Sequence, residues 1–364
     1  MKMLFLLTQL ESGGAQTRVV QTVELLRSQG VEADLAFLYE KRTCFEDIKK
    51  IILAKRKGGG ATNLLGAVIE LAKMIRREKY DVIVTNTAPS NIIGNSVAWL
   101  MGVRTRIAYQ TQPPARVSSA YRLADQVVGS SGIYTKNIVN SEWTKACFDA
   151  YPRAYRARLN LLYDGITPPP SSGSRAAARR ALGIEQDRYI VLNVGRLSPQ
   201  KDQQTLIRAM ANVDGQLLIA GDGELKEDLT NLANSTAPGK VSFLGEISRE
   251  TLGLYLSAAD VFAFSSRWET FGLALVEASA YGLPLVVTDL PVSQEVLRVN
   301  RDTSNTSKCI FINPGDSTGF ENALNVVRSA GEMRPEIEPK VSSVFTIGHH
   351  TSELLKICEI GQRS

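Results

Sequence analysis

The chain has 364 residues, a formal net charge of +5, 44% hydrophobic residues and 22% charged residues. This length suggests about two domains of ~150 residues, and the composition is that of a globular protein, which excludes disordered, collagen-like and coiled-coil chains. No stretch approaches the ~18 continuous apolar residues of a membrane-spanning helix, and the apolar run at residues 3–7 is too short for a signal peptide, so we expect a cytoplasmic protein.

Cysteine and histidine are sparse in this sequence. The four cysteines are scattered without a Cys-x-x-Cys pair, which predicts reduced thiols rather than a disulfide framework. The two histidines, His349 and His350, are adjacent near the C-terminus, and we expect them in surface or capping roles. This pattern excludes most zinc sites and most histidine-based catalysis.

Short apolar strands alternate with helical patterns along the first half. Strands are predicted at residues 3–7, 31–39, 81–85, 104–109, 136–140 and 158–163, with helices at 17–28, 63–77 and 118–128. Such alternation predicts βαβ units and a parallel sheet.

Positive charge is concentrated in this half, above all in residues 49–57, which hold five cations among apolar residues. Two interpretations of that segment stay open: contact with an anionic membrane, or a solvated helix face. Nucleic-acid binding is not predicted, because no basic motif with interleaved aromatic residues accompanies the charge.

A proline-rich stretch at residues 164–174 is predicted to separate two domains. Beyond it, strands are predicted at residues 189–194, 216–220, 241–244, 261–264, 284–288 and 308–312, and a last helix at 351–360. We predict a first domain over residues 1–165 completed by a C-terminal helix at about 345–364, a linker and first helix over 166–185, and a second domain over 186–344. Two doubly wound α/β domains place the expected ligand site in the cleft between them.

The strongest chemical motif is Ser-Ser-Arg-Trp-Glu-Thr-Phe-Gly-Leu-Ala-Leu-Val-Glu-Ala at residues 265–278, directly after a buried strand. A helix opening at residue 270 or 271 would leave the amides of residues 271–274 free for a phosphate or for sugar hydroxyls, and Gly272 lets a ligand approach the backbone. Glu269 and Glu277 are at most ~12 Å apart along a helix and could hold opposite ends of one ligand. Alternatively, Glu269 faces solvent and Glu277 pairs with a neighbour.

Three further strand-to-helix junctions carry glycine or cations. Arg196 and Lys201 lie five residues apart after a predicted strand, and they suit a phosphate or form a surface charge pair. A Gly-Asp-Gly turn at residues 221–223 and the pair Gly13–Gly14 follow two other strands. The sequence has neither a dinucleotide-binding nor a Walker fingerprint, and the lack of Asp-x-Asp argues against a metal-dependent nucleotide-sugar site.

Together these motifs resemble those of the retaining glycosyltransferases of the GT-B fold, glycosyltransferase family 4 (glycosyl transferases group 1). The resemblance is most specific in the second half and extends, in the same order, through residues 13–16, 140–144, 195–202, 221–223, 241–245, 269–277 and 282–286. It implies two Rossmann-like domains separated by a cleft, with the C-terminal helix crossing back to the first domain.

The resemblance also implies an activity: metal-independent, retaining transfer of a hexose from a UDP- or GDP-sugar to a glycan or lipid-linked acceptor in polysaccharide biosynthesis, with no cofactor. Such an enzyme would be cytoplasmic or peripheral on the inner face of a membrane. Arg196 and Lys201 would stabilise the diphosphate leaving group, Glu269 would hold the sugar and Glu277 the ribose. The other donor contacts implied are Gly14, Gly245, Ile247, Phe271, Gly272 and Leu273.

One position departs from the family pattern. Many relatives have a histidine near the transferred sugar, where this chain has Gln110 and Gln112. Either amide could donate a hydrogen bond to the sugar or acceptor, but neither can act as an acid or base at neutral pH. A non-catalytic, nucleotide-sugar-binding paralogue that partners an active transferase is therefore the alternative function.

Overall fold

The computed structural model describes residues 1–11, 13–41, 44–54, 60–300, 309–331 and 337–360. The chain divides into two compact units, one formed by Met1–Ile166 with Ser343–Ser364 and the other by Thr167–Ser342. Residues 167–185, predicted as linker and first helix, belong to the second unit.

The first unit is built on a parallel sheet whose strands, where described, run in the order β3-β2-β1-β4-β5-β6-β7. The strands are β1 (Lys2–Leu10), β2 (Glu32–Glu40), β3 (Ile51–Ala54), β4 (Val82–Asn86), β5 (Thr105–Gln110), β6 (Lys136–Val139) and β7 (Leu159–Leu161). The prediction of a parallel α/β sheet is confirmed.

Helices cover both faces of this sheet, which is why its central strands are apolar on both sides. They are α1 (Gly14–Ser28), α2 (Gly60–Glu78), α3 (Ala88–Leu100), α4 (Ser119–Ser130), α5 (Glu142–Ala146) and α6 (Arg153–Arg156), together with α14 (Ile347–Ile360) from the end of the chain. Alternate residues of β1 face opposite ways: Phe5 and Leu7 pack with α1 and α14, whereas Leu4 and Leu6 pack with α2 and α3. The C-terminal helix therefore completes the core of the first unit.

The basic segment at residues 49–57 contains a strand that the sequence analysis missed. Ile51–Ala54 forms β3, which pairs with β2 at the sheet edge. The interpretation of this segment as a solvated helix face is therefore wrong. The cations at residues 55–57 lie outside the described residues.

A buried polar cluster joins α1, α14 and the strand ends of the first unit. Arg18 and Asp164 are 3% and 5% exposed, and Arg18 Nε lies 2.8 Å from Asp164 Oδ1. Tyr109 Oη and Asn140 Nδ2 donate to the same carboxylate at 2.7 and 2.8 Å.

His350 completes this cluster. Its Nε2 lies 3.3 Å from Arg18 Nη1 and its Nδ1 2.8 Å from the carbonyl oxygen of Tyr163. Burial and the positive charge of Arg18 lower the pKa of His350 to about 4. The expected surface or capping role was therefore wrong for His350, which is fully buried, while its neighbour His349 is exposed.

The second unit repeats the doubly wound plan with the strand order β10-β9-β8-β11-β12-β13 in its described part, again all parallel. Its strands are β8 (Ile190–Val194), β9 (Gln216–Ala220), β10 (Val241–Gly245), β11 (Val261–Phe264), β12 (Leu285–Thr288) and β13 (Cys309–Ile312). Its helices are α7 (Arg175–Leu182), α8 (Gln203–Ala209), α9 (Lys226–Thr236), α10 (Arg249–Ala258), α11 (Leu273–Ala280), α12 (Pro291–Asn300) and α13 (Ser317–Ala330). In neither unit does the described part of the chain contain a helix that is both long and apolar enough to cross a bilayer.

Candidate active site

The sheet of the second unit reverses its winding between β8 and β11. From β8 the chain builds β9 and β10 on one side, then returns to place β11 on the other. Ligands of open parallel sheets bind at the carboxyl ends of the strands beside such a switch point. Arg196 and Lys201 follow β8 and Glu269 follows β11, so the three predicted catalytic residues come from the two strands that flank this point.

Backbone hydrogen bonds fasten the loops after β8, β9 and β10 to each other. The amide of Gly195 donates to Ala220 at 2.9 Å, and the amide of Gly221 donates to the carbonyl of Gly245 at 2.8 Å. Gly221 has a φ of +136°, and a Cβ there would overlap the Gly195 carbonyl oxygen. The glycines of the Gly-Asp-Gly turn thus allow close backbone approach, which holds the loop that carries Arg196 and Lys201.

Lys201 and Glu269 form an ion pair across the switch point. Lys201 Nζ lies 2.5 Å from Glu269 Oε1, which also accepts a hydrogen bond of 2.8 Å from Ser266 Oγ. Glu269 is 7% exposed, so its negative charge is stabilised mainly by Lys201 rather than by water. Gln200 Nε2 reaches Glu269 Oε2 only at 3.5 Å, which leaves that oxygen weakly engaged.

The helix after Glu269 begins later than predicted. α11 starts at Leu273, with Gly272 as its N-cap at a φ of +91°, and Phe271 precedes the helix with a buried side chain. A left-handed residue at this position explains the displacement, because the chain must turn sharply before it can enter the helix. Glu269 therefore lies outside the helix, and the N-terminal amides aimed along the helix axis begin near Leu273.

Glu277, on the buried side of α11, is paired with a residue that the sequence analysis missed. Arg249 Nη1 lies 3.1 Å from Glu277 Oε1, and Arg249 Nη2 donates to the carbonyl of Thr167. Burial raises the pKa of Glu277, and the charge of Arg249 opposes that rise. Arg249 lies 28 residues before Glu277, so no local spacing could have indicated the pair.

The other predicted donor contacts of this unit lie on the neighbouring loop. Gly245 ends β10 at a φ of +68°, and half-buried Ile247 follows it before Ser248 caps α10. No group of three or more His, Cys, Asp or Glu suited to a metal ion occurs among the described residues.

The first unit contains three residues that were predicted to contact the donor, the sugar or the acceptor: Gly14, Gln110 and Gln112. Gly14 begins α1 after β1, next to the switch point between β1 and β4, and its contact with a donor stays a prediction. Gln110 is 6% exposed and donates to Asp125, Asn137 and Tyr155 at 3.0–3.2 Å. The side-chain amide of Gln110 is therefore hydrogen-bonded in the interior of the unit, whereas the side chain of Gln112 is exposed.

Comparison with known proteins finds a family-model match in the second unit. Residues 174–339 match the family model "Glycosyl transferases group 1". The match covers nearly all of the second unit, Thr167–Ser342.

The curated proteins that are similar in sequence match mainly part of this chain. The D-inositol 3-phosphate glycosyltransferase of Mycolicibacterium smegmatis is 36% identical over 197 residues, covering 50% of this chain and 43% of the relative. The Escherichia coli UDP-Gal:alpha-D-GlcNAc-diphosphoundecaprenol alpha-1,3-galactosyltransferase is 26% identical over 281 residues, covering 72% and 67%. The chain spans about two fifths of the length of the first relatives it matches.

Solved structures match over the whole chain. Anabaena HepE in complex with UDP-glucose aligns with a TM-score of 0.76 at 18% identity, covering 100% of this chain and 99% of that chain. WaaG, a glycosyltransferase involved in lipopolysaccharide biosynthesis, aligns with a TM-score of 0.70 at 15% identity, covering 99% and 98%. These likenesses show the GT-B fold, with two Rossmann-like parallel-sheet domains.

Proposed function

We propose that the chain is a retaining glycosyltransferase that moves a hexose from a UDP- or GDP-sugar to a glycan or lipid-linked acceptor in polysaccharide biosynthesis. The observation that carries the proposal is the convergence of Arg196, Lys201 and Glu269 at the switch point of a glycosyl transferases group 1 domain. Two cations and a buried carboxylate on backbone-fastened loops suit a ligand with a diphosphate at one end and hydroxyls at the other.

In this proposal, Arg196 and Lys201 stabilise the charge that develops on the departing diphosphate. Their loop is held by backbone hydrogen bonds, so the charges are already in place when the bond to the sugar breaks. Arg196 and Lys201 supply positive charge where the diphosphate would lie, and we therefore propose a metal-independent reaction that needs no cofactor.

Glu269 is proposed to bind the sugar while it stays in contact with Lys201. Its Oε1 accepts from Lys201 and Ser266, and its weakly engaged Oε2 is the atom offered to a sugar hydroxyl. The amides near Leu273 would add donors at the helix N-terminus. Glu277 is proposed to accept hydrogen bonds from the ribose, and Gly245 and Ile247 to contact the base.

The test combines donor binding with transfer. A thermal-shift screen of UDP, GDP and their sugar conjugates, with and without EDTA, should show a rise with one nucleotide family that EDTA leaves unchanged. Arg196→Ala and Lys201→Met should each lower transfer by about 10²-fold or more, while Arg208→Met, on the exposed side of α8, should not. Transfer that survives both site substitutions would overturn the assignment.

The same assays decide between an enzyme and a non-catalytic partner subunit. The interior position of Gln110 supports the partner alternative, because that side chain is engaged within the unit where many relatives place a histidine. Donor binding without turnover of any sugar nucleotide, and activity only when a second chain is added, would favour the partner.

Contact with an anionic membrane is also proposed, through the first unit. Exposed apolar side chains concentrate on neighbouring helices of that unit: Leu64, Leu65 and Ile69 on α2, Trp99 and Leu100 on α3, and Tyr121, Leu123 and Val127 on α4. Apolar groups beside Lys and Arg suit the surface of an anionic bilayer. Sedimentation with phosphatidylglycerol vesicles, but not with phosphatidylcholine vesicles, is the expected result.

A further inference from the structure

Arg249 has no role in the function proposed above, yet it contacts Glu277, which is proposed to bind the ribose. Glu277 has 11% of its side chain exposed, too little for water to stabilise a carboxylate by itself. Within the part of the chain that the structure describes, Arg249 forms the ion pair with Glu277, at 3.1 Å. The state and direction of the Glu277 carboxylate therefore depend on this guanidinium.

Arg249 is itself fixed at a second point. Its Nη2 donates to the carbonyl of Thr167, and two-thirds of its side chain is buried. The Thr167–Pro170 backbone is held in turn: Tyr281 Oη donates to Pro169 at 2.6 Å, and a Cβ at Gly253 would overlap the Pro170 carbonyl oxygen. One nitrogen of a rigid fork is anchored to backbone, so the other presents a fixed donor to Glu277.

The position of Arg249 also links two parts of the proposed nucleotide site. It is the first residue of α10, two residues beyond Ile247, and Ser248 caps that helix by accepting from the amide of Thr251 at 3.2 Å. The loop that is proposed to contact the base therefore leads directly to Arg249, which pairs with Glu277, the residue that is proposed to bind the ribose.

Resting on the function proposed above, we propose that Arg249 is a positioning residue that holds the Glu277 carboxylate ionised and oriented toward the ribose diol of the nucleotide. An ionised carboxylate accepts hydroxyl hydrogen bonds more strongly than a neutral group, so the arrangement favours nucleotides that carry both ribose hydroxyls. Arg249 acts through Glu277 and contributes no contact of its own to the sugar that is transferred.

The experiment compares UDP and GDP with their 2′,3′-dideoxy analogues by calorimetric titration of the full chain. The wild type should prefer the nucleotide with the diol by about 10-fold or more. Arg249→Met should reduce that preference to within about 3-fold, with little change in the affinity for the dideoxy analogue. Arg249→Lys should restore part of the preference, because it returns the charge but not the fork, and exposed Arg208→Met should retain all of it.

Glu277→Gln provides a second test for the case in which the Arg249→Met variant does not fold. Glu277→Gln should lose the preference for the diol by itself, and addition of Arg249→Met should cause no further loss, because both act on one contact. Equal weakening of the nucleotide and its dideoxy analogue by Arg249→Met, or an unchanged preference, would overturn the role of Arg249 while leaving the proposed function intact. A wild type that binds neither UDP nor GDP would overturn both.

Discussion

Replacement of Asp164 by Asn tests the energetic importance of the buried polar cluster in the first unit. The Asp164 carboxylate forms an ion pair with Arg18 at 2.8 Å, and it accepts hydrogen bonds from Tyr109 and Asn140 at 2.7 and 2.8 Å. Asn keeps the shape of the side chain but removes the charge that offsets Arg18, which is 3% exposed. Removal of one partner from a buried pair costs about 3–5 kcal/mol.

We expect the lower end of that range for Asp164→Asn, about 3 kcal/mol. Arg18 retains a hydrogen bond of 2.7 Å to Asn86 and lies 4.0 Å from the centre of the Tyr109 ring, and both contacts still favour its charge. For a unit of this size, that loss lowers the melting temperature by about 6–12 °C.

The assay is thermal and urea unfolding followed by circular dichroism, with a double variant and a matched control. Arg18→Met combined with Asp164→Asn should be more stable than Asp164→Asn alone, because no unpaired charge remains buried. Glu353→Gln breaks the exposed pair with Lys356 on α14 and should change stability by less than about 1 kcal/mol. A loss below about 1 kcal/mol for Asp164→Asn, or additive losses in the double variant, would refute the reasoning.

Three further predictions concern stability. Gly221→Ala should cost about 3 kcal/mol because its Cβ would overlap a backbone carbonyl, whereas Gly239→Ala, at a φ of +73° in open space, should cost about 1 kcal/mol; similar losses in urea unfolding would contradict this. Since the folded-state pKa of His350 is lowered from 6.5 to about 4, its neutral form should contribute up to about 3 kcal/mol of stability above pH 6.5, lost as the pH falls toward 4. His350→Asn should lack this part of the pH dependence and His349→Asn should keep it; identical pH–stability curves for the two variants would refute the prediction. Ser174 caps α7 by accepting a backbone hydrogen bond, so Ser174→Ala should cost about 1 kcal/mol in the same assay, and no loss would show that the cap adds nothing.

Much of the fold follows from local sequence patterns. Fully buried strands such as β4 and β11 appear as short apolar runs between helical segments, which is the pattern of a parallel sheet covered on both faces. The missed strand β3 is short, half-buried and placed at a sheet edge, so its sequence lacks that signal. The start of α11 was also displaced, because the left-handed turn at Gly272 depends on how the preceding loop packs.

Some features of the candidate site likewise follow from the sequence, and others follow only from the tertiary structure. The sequence by itself determined which residues carry charge, which positions are glycine, and that Arg196, Lys201 and Glu269 follow predicted strands. Only the tertiary structure decided that β8 and β11 are neighbours, that Arg249 reaches Glu277, and that His350 and Gln110 point into the interior. The physical reason is that strand order, ion pairing and burial depend on residues far apart in the chain, whereas periodicity and turn chemistry depend on near neighbours.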